Sequence, residues 1–223
     1  MRLSFVRKGL LEYITKTIKP MYRNFDKAHN TAHFQYVTSN CVEYGRELLS
    51  RGEDVDLEMA YVVGAFHDIG LLEGREGHSK YSGRFVREDA VLPEYFTGEQ
   101  IELIAQAVED HSSHLQYTPR SVYGKIVADA DRNNTVYLVF SRPIKYGIKN
   151  ESYRTKIEHI DRVYEFVNAK FGRSGYVKYW LDIPKVTREQ DRVWALLDNE
   201  QECKKYIEGL FDEITRGKYK SNK

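Results

Sequence analysis

The chain has 223 residues, with 34 Lys and Arg against 33 Asp and Glu, and its formal net charge of +1 gives no electrostatic basis for strong nucleic-acid binding. With 41% hydrophobic and 13% aromatic residues it can bury a large core, while no apolar run approaches the length that crosses a bilayer. The two cysteines, Cys41 and Cys203, form neither a close pair nor a metal-binding spacing, and the opening MRLSFVRKGL lacks the apolar centre of a secretion signal, so the expected compartment is the cytoplasm.

Helical periodicity runs almost throughout. Leu3, Val6, Leu10, Ile14 and Ile18 predict a helix over 3–19 that Pro20 ends. Phe34, Val37, Cys41, Tyr44 and Leu48 predict the next, over 31–50, and Leu57, Ala60, Gly64 and His67 another over 55–68. Tyr81, Phe85 and Leu92 mark a helix over 78–92 that stops before Pro93, and Ile101, Ile104, Val108 and His111 mark one over 98–112. A segment over 121–140 leads into a basic loop around Arg142-Pro143-Ile144-Lys145. Further stripes follow through Tyr153, Ile157, Ile160, Tyr164, Val167 and Phe171, then through Cys203, Ile207, Leu210 and Ile214. No alternating strand pattern of useful length is present. The expected fold class is all-α: one domain over 1–223, with a core at 25–140 and a helical extension at 141–223.

Six of the seven histidines fall between residues 29 and 114. His111 takes the next place on the Ile104–Val108 stripe, His67 follows Gly64, His78 opens the Tyr81–Phe85 stripe, and His33 lies one turn before Val37. Asp68 adjoins His67, and Asp131 aligns with Val127. Imidazoles and carboxylates from separate helices thus point toward one interior. Several carboxylates buried together require a compensating cation, and nitrogen and oxygen donors without thiolate suit a catalytic rather than a structural ion. His29, four residues before His33, and Asp129, two before Asp131, are alternative donors at the first and last positions.

The order His33, His67-Asp68, Asp131, with the text HDIG and ADADR, resembles the HD superfamily of metal-dependent phosphohydrolases over roughly residues 25–140. The resemblance implies an HD-type helical bundle and hydrolysis of a phosphoester or phosphoanhydride, often of a nucleotide. It assigns His33, His67, Asp68 and Asp131 as metal ligands. His78 and His111 stand where some branches of the superfamily add ligands to a second ion, so this chain is similar to a binuclear member, holding one or two ions of Fe, Mn, Ni, Co, Zn or Mg. The Ala-Asp-Arg register of the family falls at 130–132, which favours Asp131 over Asp129, and the family spacing favours His33 over His29. Asn133 departs from the family pattern, where an apolar residue is common.

The expected chemistry is attack by metal-activated water. Asp68, Asp129 and His114 are the candidate catalytic groups, and Lys80, Arg84, Lys125 and Arg132 the candidate phosphate contacts, with Arg142, Lys145 and Lys149 as a weaker edge. The expected partner is a small phosphorylated substrate, a homodimer being left open. Two other readings compete. The same donor order is similar to that of di-iron oxygenases of this fold, and a nucleotide-binding regulatory module would need no turnover.

Overall fold

The computed structural model describes residues 3–26, 28–115, 117–132 and 135–220, with side chains described as far as Arg216. Every regular element among the described residues is helical, as the periodicity predicts. None of these helices is long and apolar enough to cross a membrane. The chain divides into two compact units, Met1–Arg132 with Tyr179–Ile183, and Asn133–Lys178 with Pro184–Lys223.

The first unit opens with α1 (Lys8–Tyr13), a π-helical turn at Ile14–Ile18, the short α2 (Lys19–Met21) and a 3-10 turn at Tyr22–Asn24. Pro20 lies near the start of α2 rather than ending the helical path, because at a helix start its missing N–H costs no bond. α3 (Thr31–Ser50) follows, and Asn30 caps it by accepting from the amides of Ala32 and His33. α4 (Leu57–Phe66) is buried almost all round, so it behaves as the central rod of the unit rather than as a surface helix. α3, α6 (Gly98–Glu109) and α7 (Val122–Asp131) pack against it. The predicted α3 stripe of Phe34, Val37, Cys41, Tyr44 and Leu48 is buried in full.

Between α4 and α5 (His78–Glu88) the chain makes a 3-10 turn at Ile69–Glu73. A Cβ on Gly70 would lie 2.1 Å from the His78 carbonyl oxygen and 2.5 Å from the Ser82 nitrogen, so only glycine lets this turn press against the first turns of α5. The Gly70 amide donates to Ser82 Oγ at 2.9 Å, which fixes the contact. Gly77, at φ +73°, supplies the left-handed residue from which α5 starts. α5 ends at Glu88, short of the predicted Leu92, because Asp89 turns extended and its side chain accepts from the Val91 and Leu92 amides.

The second unit contains α8 (Val136–Asn150), α9 (Lys156–Phe171), α10 (Pro184–Leu197) and α11 (Glu200–Lys220). Val139, Phe140, Ile144, Ile160, Val163, Val167, Val193, Cys203 and Ile207 form its core. The basic loop expected at 142–145 is instead the middle of α8, which continues through Pro143. An interior proline costs about 3 kcal/mol locally, and burial of Phe140 and Ile144 on either side offsets it. The start of the α9 stripe is also corrected: α9 begins at Lys156 behind a Thr155–Glu158 capping box, leaving Tyr153 77% and Ile157 71% exposed. The sequence pattern assigns no helix to the stretch that forms α10.

Candidate metal centre

The turn after α4 sets the site. His67 is fully buried, and Asp68 nearly so. His67 Nδ1 lies 2.8 Å from the Gly64 carbonyl oxygen, an acceptor only, so Nδ1 carries a proton and Nε2 is the nitrogen turned into the site. The same arrangement occurs twice more. His78 Nδ1 donates to the Arg75 carbonyl at 2.9 Å and His111 Nδ1 to the Val108 carbonyl, in each case three residues back along the chain. Three imidazoles from α4, α5 and the end of α6 therefore keep a proton on Nδ1 and turn Nε2 inward.

Those atoms meet at short range. His33 Nε2 is 3.1 Å from His67 Nε2, and His78 Nε2 is 3.1 Å from His111 Nε2. With both rings neutral, His78 and His111 face each other with Nε2 lone pairs, a repulsive contact that a proton or a cation between them would convert into an attractive one. Asp68 lies between the two pairs. Its Oδ2 is 3.4 Å from His33 Nε2 and 3.1 Å from His67 Nε2, while its Oδ1 is 3.6 Å from both His78 Nε2 and His111 Nε2. Despite that proximity, Oδ2 is buried without a hydrogen-bond donor aimed at it. An orphaned buried carboxylate oxygen faced by imidazole Nε2 atoms fits a divalent ion. Two groups of donors, His33-His67-Asp68 and Asp68-His78-His111, are each close enough to hold one.

Asp131 adjoins the first group. Its Oδ1 is 3.1 Å from His33 Nε2 and 3.8 Å from His67 Nε2. His29, the alternative first donor, instead turns Nδ1 to Asp26 Oδ1 at 2.8 Å and meets His33 only edge to face. Asn30 explains the difference, because its cap sets the first turn of α3 so that His33 is carried inward.

Electrostatics differ across the cluster. Burial works against protonation of His33, but contacts with Asp131 and Asp68 outweigh it and raise its pKa to about 9. Burial likewise opposes charge on His111, and Asp68 reverses the balance upward. His78 moves down, through partial burial and the neighbouring His111. Burial alone would raise Asp68, yet His67 and the contacts with His111 and His33 hold it well below the usual carboxylate range. Asp131 is lowered as well: burial opposes its charge, and the His33 contact prevails.

The remaining expected residues are placed as follows. Asp129 Oδ2 accepts from the backbone amides of Trp180 and Leu181 at 2.9 and 2.8 Å, and its Oδ1 from Arg132 at 2.9 Å. Burial pushes Asp129 up to about 6 despite that pairing. Asp129 and Arg132 thus pair with each other, and Asp129 also holds the 180–181 backbone. Arg84 pairs with Glu73 and Glu88 on the surface of α5, with its guanidinium over Tyr81 and Phe85. His114 is exposed in the turn after α6. Lys80 is exposed in the first turn of α5, and Lys125 is half-buried on α7. Arg142, Lys145 and Lys149 are exposed on α8. The sequence reading missed Tyr22, whose hydroxyl reaches the turn after α4; a lone tyrosine in an irregular segment carries no periodic signal.

The chain is similar to known proteins over this region. The HD domain family matches residues 31–134. A solved structure described as a predicted HD superfamily hydrolase from an uncultured Thermotogales bacterium is 23% identical, covering 70% of this chain and 86% of that one with a TM-score of 0.49. No curated protein matches the chain.

Proposed function

We propose that this chain, whose residues 31–134 match the HD domain family, is a metal-dependent phosphohydrolase that cleaves a phosphoester or phosphoanhydride, with a nucleotide as the preferred substrate class. One observation carries the reading: two donor groups share the single carboxylate of Asp68. His33, His67, Asp68 and Asp131 would hold one ion, and His78 and His111 would join Asp68 around a second. A divalent ion bound there lowers the pKa of a coordinated water toward 7 and offsets charge on a phosphoryl oxygen.

The chain's own residues do the rest. Carbonyls of Gly64, Arg75 and Val108 hold three imidazoles in the tautomer that leaves Nε2 available as a donor atom. Burial of His67, Asp68 and His111 keeps bulk water from competing for the cluster. On the side of His78, which is 25% exposed, the site is open to a substrate. Lys80, two residues further along α5, has no carboxylate partner among the described residues and is assigned to substrate phosphate; Lys125 on α7 is the lesser candidate. His114, exposed beyond α6, is assigned to proton transfer at the leaving group.

The test is metal content of protein purified without added metal, followed by phosphate release from nucleoside monophosphates, dinucleoside polyphosphates and simple esters with each candidate ion. Bound metal with phosphate release under anaerobic conditions supports hydrolysis. Oxygen consumption by an iron form without phosphate release would replace it with the oxygenase reading. Nucleotide binding without any turnover would replace it with a regulatory module.

A further inference from the structure

We infer that Tyr22, 45 residues upstream of His67 and outside the matched HD segment, is the positioning residue that sets the His67-Asp68 pair. The inference rests on the metal centre proposed above. In an uninterrupted α4 the Asp68 amide would bond the carbonyl of Gly64, four residues back. Asp68 instead has φ −106° and ψ 4°, and its amide donates to the Tyr22 hydroxyl at 3.3 Å. That hydroxyl in turn donates to the Ala65 carbonyl at 2.9 Å. One oxygen from another segment therefore serves an orphan donor and an orphan acceptor at the end of α4.

The consequence reaches both side chains of the pair. With the Asp68 amide diverted, the Gly64 carbonyl is free to accept from His67 Nδ1, which leaves His67 Nε2 as a bare donor atom. The same diversion turns the chain at Asp68, so that its carboxylate lies between His33-His67 and His78-His111. The Tyr22 ring is itself locked. It is fully buried, edge-on to Phe25 at 5.1 Å and to Phe34 at 4.9 Å, and 6.2 Å from the His67 ring. Phenylalanine would keep that packing and lose only the hydroxyl.

A matched control lies at the other end of the same helix. The hydroxyl of Tyr123 accepts from the amide of Asp56, the N-cap of α4, at 2.8 Å. Tyr22→Phe and Tyr123→Phe each remove one buried hydroxyl that serves an end of α4, and both should lower the melting temperature. Only Tyr22→Phe should weaken uptake of Mn2+ alone, by about tenfold or more in calorimetric titration. Equal Mn2+ affinity of Tyr22→Phe and the parent, or an equal loss in Tyr123→Phe, would overturn the inference while leaving the metal centre standing. A parent that takes up no divalent ion would remove both.

A second measurement needs no variant. In the metal-free parent, hydrogen exchange at the Asp68 amide should be slowed as for a buried bonded group. Exchange at the rate of an open turn would overturn the assignment.

Discussion

The two halves of the imidazole cluster are built from the same parts but not to the same standard. His33, His67 and Asp68 are buried, and Asp131 adds a second carboxylate. His78, His111 and Asp68 have no second carboxylate in contact among the described residues, and His78 is 25% exposed. The first half is a charged, enclosed site in which acidic neighbours raise His33; the second is more open, and His78 is lowered partly by the repulsion of His111. Donor charge and rigidity set affinity, so the first half should retain an ion that the second exchanges. That division suits chemistry in which one ion is structural to the site and the other meets substrate.

The largest effect should come from the residue the halves share. Asp68→Ala should abolish bound metal in both and reduce phosphate release to the blank, measured by elemental analysis beside a phosphate assay. Full metal content in that variant would end the comparison. Separate removal should then split the halves. His111→Ala should leave one ion per chain, whereas His67→Ala should lose the tighter ion, so calorimetric titration of the two variants should show different surviving sites. Identical titrations would mean that the halves are equivalent.

A smaller effect follows from pH. The His33 pKa is raised to about 9 in the folded chain, above its ordinary 6.5, so its protonation stabilises the metal-free fold fully below about pH 6.5 and progressively less as pH rises through 9. His111, also raised, acts in the same direction. The melting temperature of metal-free protein should therefore fall between pH 6.5 and 9, and bound metal, which replaces the proton, should remove the fall. The smallest change expected in the centre itself is from Asp129→Asn. Loss of the charged acceptor for Arg132 and two backbone amides should cost about 1.5–3 kcal/mol in urea unfolding while metal stoichiometry persists.

Much of the cluster was legible because helical periodicity reports facing direction. His67, His111 and Asp131 extended apolar stripes, so their inward orientation followed from spacing of three and four residues. His33 could not be separated from His29 in that way, since residues four apart share a face; the Asn30 cap and the Asp26 contact decided between them. Asp129 and Asp131 were distinguished by their partners in space, 180–181 for one and the imidazoles for the other. Arg142 to Lys145 read as a loop because proline disfavours helix locally, and burial in the second unit's core overrode that preference.

The amino-acid order alone determined the all-α class, the α3 stripe and the identity of the imidazoles and carboxylates that gather, because each depends on a pattern repeated within one helix. Tertiary structure decided how those groups are divided around Asp68, which nitrogen of each ring faces inward, and that Tyr22 supports the turn between them. These depend on bonds between segments far apart in the chain, and such distances leave no periodic trace in the order of residues.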